Sequence, residues 1–306
     1  MPLKFVDPDV TVDGKTRASV PLSALRTLWF NTGTLCNLTC GHCYIESSPR
    51  NDALVYLTPL DVVDYLDQIA ALELPTHEIG FTGGEPFMNP AIIELLTTSL
   101  GRGHRTLVLT NAMRPMMKHA DALLALRALH GSQLVLRVSL DHYRAERHEE
   151  ERGPRTWRPT LNALKWLSDC GFAINVAGRL RWGDPEADMR AGFRALFEAE
   201  DIAIDADDPV ELVLFPEMDV TAPVPEITTE CWEIVHKSPT DVMCASSRMV
   251  IRRKGERTPT VVSCTLLPYD ARFDLGPRLA GALGPIKLNH PHCAKFCVLG
   301  GGRCSA

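Results

Sequence analysis

The sequence predicts an α/β protein: six β/α repeats building a parallel sheet, followed by a smaller C-terminal unit on a hairpin. Three observations carry this. Short apolar runs alternate with stretches of helical period from residue 27 to residue 215. A stretch at 216–240 then breaks the alternation with Pro216, Pro223, Pro225 and Pro239. The cysteines are grouped, eight of the ten lying in 36–43 and 244–304.

Residues 1–26, with Pro2, Pro8, Gly14 and Pro21, read as an irregular lead-in. The first strand is expected at 27–33. Thr58 and Pro59 form an N-cap and first-turn proline, and Leu60, Val63, Leu66, Ile69 and Leu72 continue that helix. The second strand covers 78–82, and Asn89-Pro90 opens a second helix. A strand at 106–109, a helix at 116–129 and a strand at 134–138 follow. Residues 141–155 are strongly charged and read as a solvated helix and loop. A helix at 157–169 ends before Gly171, a C-terminal cap. A strand at 172–176, a helix at 186–199 and a strand at 211–215 complete the repeats. Periodicity alone does not separate a barrel from a doubly wound sheet. The linker is placed at 216–240 and the C-terminal unit at 241–306. There 248–252 and 260–263 flank a turn around Gly255. That unit has few large apolar residues, so metal binding is expected to supply much of its folding energy. The sequence has no internal repeats and no low-complexity tract.

The chain has 306 residues, 45% of them hydrophobic, enough for one large α/β domain or two ordinary ones. Mean hydropathy is near zero and no apolar stretch approaches the ~20 residues of a membrane span. The N-terminus lacks a basic-then-apolar signal pattern, so a cytoplasmic location is expected, with no membrane partner. A net charge of −6 gives no general electrostatic reason to bind nucleic acid. In a reducing compartment grouped cysteines read as metal ligands rather than disulfides. Cys170 and Cys231 stand apart and read as small buried apolar residues.

Residues 36–44 are Cys-Asn-Leu-Thr-Cys-Gly-His-Cys-Tyr. A loop this tight can turn the sulfurs of Cys36, Cys40 and Cys43 toward one centre, and thiolates select zinc, copper(I) or iron–sulfur clusters. Three cysteines leave one iron of a four-iron cluster without a protein ligand. The C-x3-C-x2-C spacing and the following Tyr44 resemble the signature of radical S-adenosylmethionine (SAM) enzymes. That resemblance implies a partial (β/α)6 TIM-like barrel and a [4Fe-4S] cluster on Cys36, Cys40 and Cys43. SAM would chelate the open iron and be cleaved reductively to a 5′-deoxyadenosyl radical that takes hydrogen from substrate. It implies a flavodoxin- or ferredoxin-type reductant as partner. His42, between two ligands, falls at a position the family leaves free.

Phe81-Thr82-Gly83-Gly84-Glu85-Pro86 follows the second strand. Glycines without Cβ admit a ligand close to the backbone, and Glu85 adds a negative acceptor. The run resembles the family's Gly-Gly-Glu-Pro motif, which implies that Gly83, Gly84 and Glu85 hold the methionine amino group of SAM. Weaker matches lie at later strand ends. Asn111 follows the third strand. Ser139 follows the fourth and is matched to a ribose or carboxylate contact. Arg152, before Gly153, is matched to the carboxylate, and Gly178 after the fifth strand to a backbone contact with adenine.

Cys244, Cys264, Cys293, Cys297 and Cys304 resemble a shortened SPASM or twitch domain, which implies one auxiliary iron–sulfur cluster, with Cys297 or Cys304 as alternative ligands. A zinc site needs four ligands too and also favours hairpins. The expected function is hydrogen abstraction from a peptide or small-molecule substrate. The alternative is a zinc-binding structural or regulatory protein on a non-catalytic barrel.

Overall fold

All six expected strands form in the computed structural model, which describes residues 4–217 and 223–302. They are β1 (Thr27–Asn31), β2 (Glu78–Thr82), β3 (Arg105–Thr110), β4 (Leu134–Ser139), β5 (Ala173–Leu180) and β6 (Leu212–Pro216). Each pairs parallel with the next in sequence. The helices between them are α1 (Pro59–Ala71), α2 (Ile92–Gly101), α3 (Ala120–His130), α4 (Ala145–Arg152), α5 (Trp157–Asp169) and α6 (Glu186–Ala199).

Local chemistry sets the boundaries. The Thr58 hydroxyl accepts from Asp61 N–H and the Asp61 carboxylate accepts from Thr58 N–H, a complete capping box ahead of Pro59. The stripe α1 buries is Val62, Tyr65, Leu66 and Ile69, whereas Leu60, first in the expected register, is 79% exposed. Asn89 does not cap α2. Its Oδ1 accepts from Ala91 N–H and its Nδ2 donates to the Leu57 carbonyl, so the helix starts later, at Ile92. The helix expected at 116–129 is divided into a single turn, Arg114–Met117, and α3. The charged stretch 141–155 is not wholly solvated, because α4 buries His148 and Glu151.

The C-terminal hairpin is β7 (Ser247–Ile251) and β8 (Thr260–Val262), with Gly255 at φ 87° in its turn. It does not stand apart from the barrel. β7 pairs parallel with β1, from Thr27↔Ser247 to Phe30↔Val250, giving the sheet order β6-β5-β4-β3-β2-β1-β7-β8. β1 is buried along its whole length, and an unpaired edge there would leave buried N–H and C=O groups unsatisfied. The tail also has an apolar core. Leu266, Leu267, Phe273, Leu288 and Phe296 pack in one cluster with Trp29, Leu107 and Val135 of the barrel strands. The expectation that metal supplies much of its folding energy overlooked this shared core, because the apolar partners lie in distant parts of the chain.

The lead-in is likewise tied down. Ser19–Val20 pairs antiparallel with Ile286–Lys287. Arg17, fully buried, pairs with Glu226 at 2.5 Å and donates to the carbonyls of Asp7, Val10 and Leu288. Among the described residues no helix is long and apolar enough to cross a membrane.

Candidate active site at the mouth of the barrel

The cysteine loop leaves β1 through a turn in which Asn31 Oδ1 accepts from Gly33 N–H at 3.0 Å, with Gly33 at φ 114°. Its base is closed by a bridge between Leu35 and Ser48, where Cys36 N–H donates to the Ser48 carbonyl at 3.1 Å. Cys36, Cys40 and Cys43 all line one cavity at the C-terminal ends of the barrel strands. Leu38 N–H donates to Cys36 Sγ at 3.4 Å and Ser47 N–H to Cys43 Sγ at 3.3 Å. Burial pushes the Cys36 thiol up to about 12, against the pull of the Leu38 N–H. Burial also raises Cys40, opposed by the charge of Arg152. A bound metal would hold both as thiolates, so loading must release protons.

The glycines of residues 83–86 serve the loop first. Gly84 N–H donates to the Gly33 carbonyl at 2.8 Å and Glu85 N–H to the Leu35 carbonyl at 3.1 Å. A Cβ at Gly83 would sit 2.5 Å from Gly33 O, and one at Gly84 would collide with the Leu35 carbonyl. The space expected to admit a ligand is therefore filled by the backbone that carries Cys36, although both glycines also face the cavity. Gly84→Ala is expected to displace residues 33–36, since backbone atoms cannot yield as a flexible side chain does. Overpacking of this kind costs roughly 1–3 kcal/mol or more. Iron content after anaerobic reconstitution should fall well below that of the wild type, and full loading would refute the buttressing role.

Glu85 is buried and does not line the cavity. Its Oε1 accepts from Phe87 N–H and Thr110 Oγ1, and its Oε2 from Asn111 N–H at 2.8 Å, which ties the end of β2 to the end of β3. Burial raises its pKa to about 7, and these donors oppose the rise. Asn111 carries the connection onward, donating from Nδ2 to Asn37 Oδ1 at 3.0 Å. Tyr44, Asn111, Ser139 and Arg152 all line the cavity. Arg152 grips Asp141 through two bonds. Burial, the largest influence, would raise the Asp141 carboxyl, but the charge and hydrogen bonds of Arg152 together with the charges of Arg179 and His148 hold it below its ordinary value. Gly178 is not in the wall. A Cβ there would meet Leu214 and Phe193, while its neighbours Ala177 and Arg179 face the cavity, as strand alternation requires.

Sequence reasoning missed Glu151. Its backbone carbonyl accepts from Gly41 N–H at 2.8 Å, and its carboxylate from His42 N–H at 2.9 Å and Arg179 at 2.7 Å, with Arg181 at 3.3 Å. His42 Nδ1 lies 3.1 Å from the same carboxylate. One buried carboxylate thus joins α4, β5 and the cysteine loop. The available signal was Arg179, the one charged residue in its strand, a cation that needs an anion nearby. Glu151→Gln leaves Arg179 buried without its counter-charge and is expected to cost about 3–5 kcal/mol. Urea denaturation of the metal-free protein measures this, and a loss below about 1 kcal/mol, the scale of an exposed ion pair, would show that the network does not anchor the loop.

A second cavity brings together Cys244, Cys264, Cys293 and Cys297. Cys293 and Cys297 lie on a π-helix, Cys293–Leu299, whose wide turn places residues four apart near one face. This accounts for the C-x3-C spacing. Burial pushes Cys244 up to about 11 and Cys293 well above the usual thiol value. His292 Nδ1 and Ser263 Oγ are buried without a hydrogen-bond partner, and both residues line this cavity. Cys304 lies outside the described residues. Cys170 and Cys231 are half-buried rather than buried, and Cys231 Sγ accepts from Thr228 N–H. Among the described residues no three His, Cys, Asp or Glu side chains form a group that could hold a metal ion. Four thiols on the wall of one cavity are the kind of donor set a four-iron cluster takes.

Residues 30–180, just under half of the chain, match the family model described as the radical SAM superfamily. The matched stretch runs from β1 to β5 and contains the cysteine loop and the Gly83-Gly84-Glu85-Pro86 turn. The chain is similar to the antilisterial bacteriocin subtilosin biosynthesis protein AlbA of Bacillus subtilis strain 168, with 32% identity over 169 residues, 55% of this chain and 35% of that protein. It is similar to the mycofactocin maturase MftC of Mycobacterium tuberculosis H37Rv, with 28% identity over 138 residues, 45% of this chain and 33% of that protein. The match spans about a third of the length of these relatives. Among solved structures, Streptococcus suis SuiB bound to S-adenosylmethionine aligns with a TM-score of 0.59 at 14% identity, over 84% of this chain and 63% of that one. A histidine-tagged form of anSMEcpe with bound AdoMet aligns with a TM-score of 0.58 at 15% identity, over 82% and 74%. The shared architecture is the partial TIM-like barrel.

Proposed function

We propose that this chain is a radical SAM enzyme that modifies a peptide. The observation that carries the reading is the opening of Cys36, Cys40 and Cys43 onto one cavity with the polar ends of β2 to β5. Bound there, a [4Fe-4S] cluster and SAM would supply reductive cleavage and a 5′-deoxyadenosyl radical. The chain's own residues hold and orient. Cys36, Cys40 and Cys43 take the cluster, with Leu38 and Ser47 N–H groups on two of the sulfurs. Asn111 and Ser139 present polar groups, and Arg152 a cation for a carboxylate. A carboxylate has about four acceptor sites. Glu85 uses three on its neighbours and, from behind the cavity wall, fixes the ends of β2 and β3 that face the SAM site.

Peptide substrates are favoured by the relatives. AlbA and MftC are named for bacteriocin biosynthesis and mycofactocin maturation, and SuiB and anSMEcpe have structures with peptide bound. An open groove beside the cavity, with Tyr44, Arg181, Tyr269 and His290 in its wall, offers an extended chain a path to the loop. Cys244, Cys264, Cys293 and Cys297 are assigned to one auxiliary iron–sulfur cluster, and a flavodoxin- or ferredoxin-type protein to electron delivery.

Anaerobic reconstitution with iron and sulfide, followed by reduction with dithionite in the presence of SAM, tests this. Release of 5′-deoxyadenosine, with iron and sulfide for two clusters, is expected. Zinc in place of iron and no deoxyadenosine would establish the structural zinc alternative.

A further inference from the structure

Arg248 lies on β7 and is fully buried. Its guanidinium is satisfied in hydrogen bonds. Nε donates to Ala282 O at 2.9 Å, Nη1 to Cys244 O at 2.6 Å and Ser247 O at 2.8 Å, and Nη2 to Gly284 O at 3.0 Å. All four acceptors are neutral carbonyls. Two other buried arginines have acidic partners, Arg17 with Glu226 and Arg179 with Glu151. Arg248 forms no ion pair with a carboxylate among the described residues. A buried cation without a counter-charge is strongly unfavourable, and carbonyl dipoles offset only part of that.

The groups around it indicate what the missing charge is. Arg248 donates to the backbone carbonyl of Cys244, which places it directly behind that residue. Cys244 lines the C-terminal cavity with Cys264, Cys293 and Cys297. We infer that Arg248 is the built-in counter-charge of a thiolate-held iron–sulfur cluster in that cavity, and that it raises the cluster's reduction potential. The inference rests on the auxiliary-cluster assignment made above. Reduction adds one negative charge to an already anionic centre. A fixed cation nearby in a poorly solvated interior stabilises the reduced form more than the oxidised form. Arg248 lines neither the cavity of the cysteine loop nor the groove beside it, so it is a positioning and tuning residue.

The test uses the full chain carrying Cys36→Ala, Cys40→Ala and Cys43→Ala, so that any remaining iron belongs to the C-terminal cavity. Arg248→Gln and Arg248→Lys are added separately, and the cluster is titrated with dithionite by EPR. Arg248→Gln removes the charge. It should lower the potential so that the reduced-to-oxidised ratio at fixed potential falls tenfold or more, about 59 mV for a one-electron couple. Arg248→Lys loses part of the donor fork but keeps the charge, and should stay within threefold of Arg248. An unchanged potential in Arg248→Gln overturns the inference. So does an equal drop in both variants, which would assign the effect to the hydrogen-bond fork. If Arg248→Gln does not fold, Arg248→Lys alone decides: a potential within threefold supports the charge role and a tenfold drop overturns it. Iron and zinc counts on the parent triple variant separate this from a failed cluster assignment. Zinc, or no iron, in the parent overturns both.

Discussion

Replacing Cys36, Cys40 and Cys43 together with alanine is expected to remove about four iron atoms per chain and all release of 5′-deoxyadenosine. The fold should survive. The loop is fixed at its base by the Leu35–Ser48 bridge and along its length by Glu151, and neither depends on a sulfur. The main apolar cluster lies between sheet and helices and contains none of the three cysteines. The two N–H groups that now face Cys36 and Cys43 would turn to water in a cavity open to solvent. Iron analysis and far-UV circular dichroism on the reconstituted variant check both halves of the expectation. Full SAM cleavage by the triple variant would end the assignment of this loop to catalysis.

Cys264→Ala is expected to lose the auxiliary iron and substrate turnover while SAM cleavage continues uncoupled. Cys264 follows β8 and shares its cavity with three other thiols, so its loss leaves three of the four ligands assigned there. The structure alters what should happen to stability. The hairpin hydrogen-bonds to the barrel through β7, and the tail shares its core with barrel side chains. The metal-free variant should therefore stay folded, with a stability loss nearer that of a half-buried cysteine than of a collapsed domain. Iron quantitation, deoxyadenosine release and turnover of a peptide substrate are the three readouts. Retention of the full iron complement would remove Cys264 from the ligand set.

What the sequence made legible was what local spacing encodes. The six strands, the Thr58 cap and the cysteine triad are each written within a few residues, and the structure places them within a residue or two of expectation, apart from the β5 end. The candidate site was legible wherever a strand end delivers a side chain, as at Asn111 and Ser139. It was misread wherever a partner distant in sequence decides. Glu151 reads as one acid among several in a charged helix, and only the approach of Gly41, His42 and Arg179 makes it a structural anchor. Gly178 lies one position from two residues that face the cavity, and a strand turns a one-residue difference into the opposite face. The linker at 216–240 reads as a boundary because prolines end the β/α alternation. Pairing of the tail with the first strand leaves no such mark, since β7 looks like any exposed hairpin strand.

That pairing has a consequence for the order of assembly. β1 is the strand from which the cysteine loop emerges, and its partner on one side is made about 220 residues later. At about 5–20 residues per second of synthesis, one edge of β1 waits on the order of ten to forty seconds for its mate. During that interval an apolar strand end, Leu28-Trp29-Phe30, presents open N–H and C=O groups to any passing chain. Insertion of iron into the adjacent loop during this window would act on a half-finished support. Maturation in the cell therefore favours a sequence in which the tail docks first and the cofactor follows, and chaperone capture of nascent chains should concentrate on lengths between the emergence of β1 and that of β7.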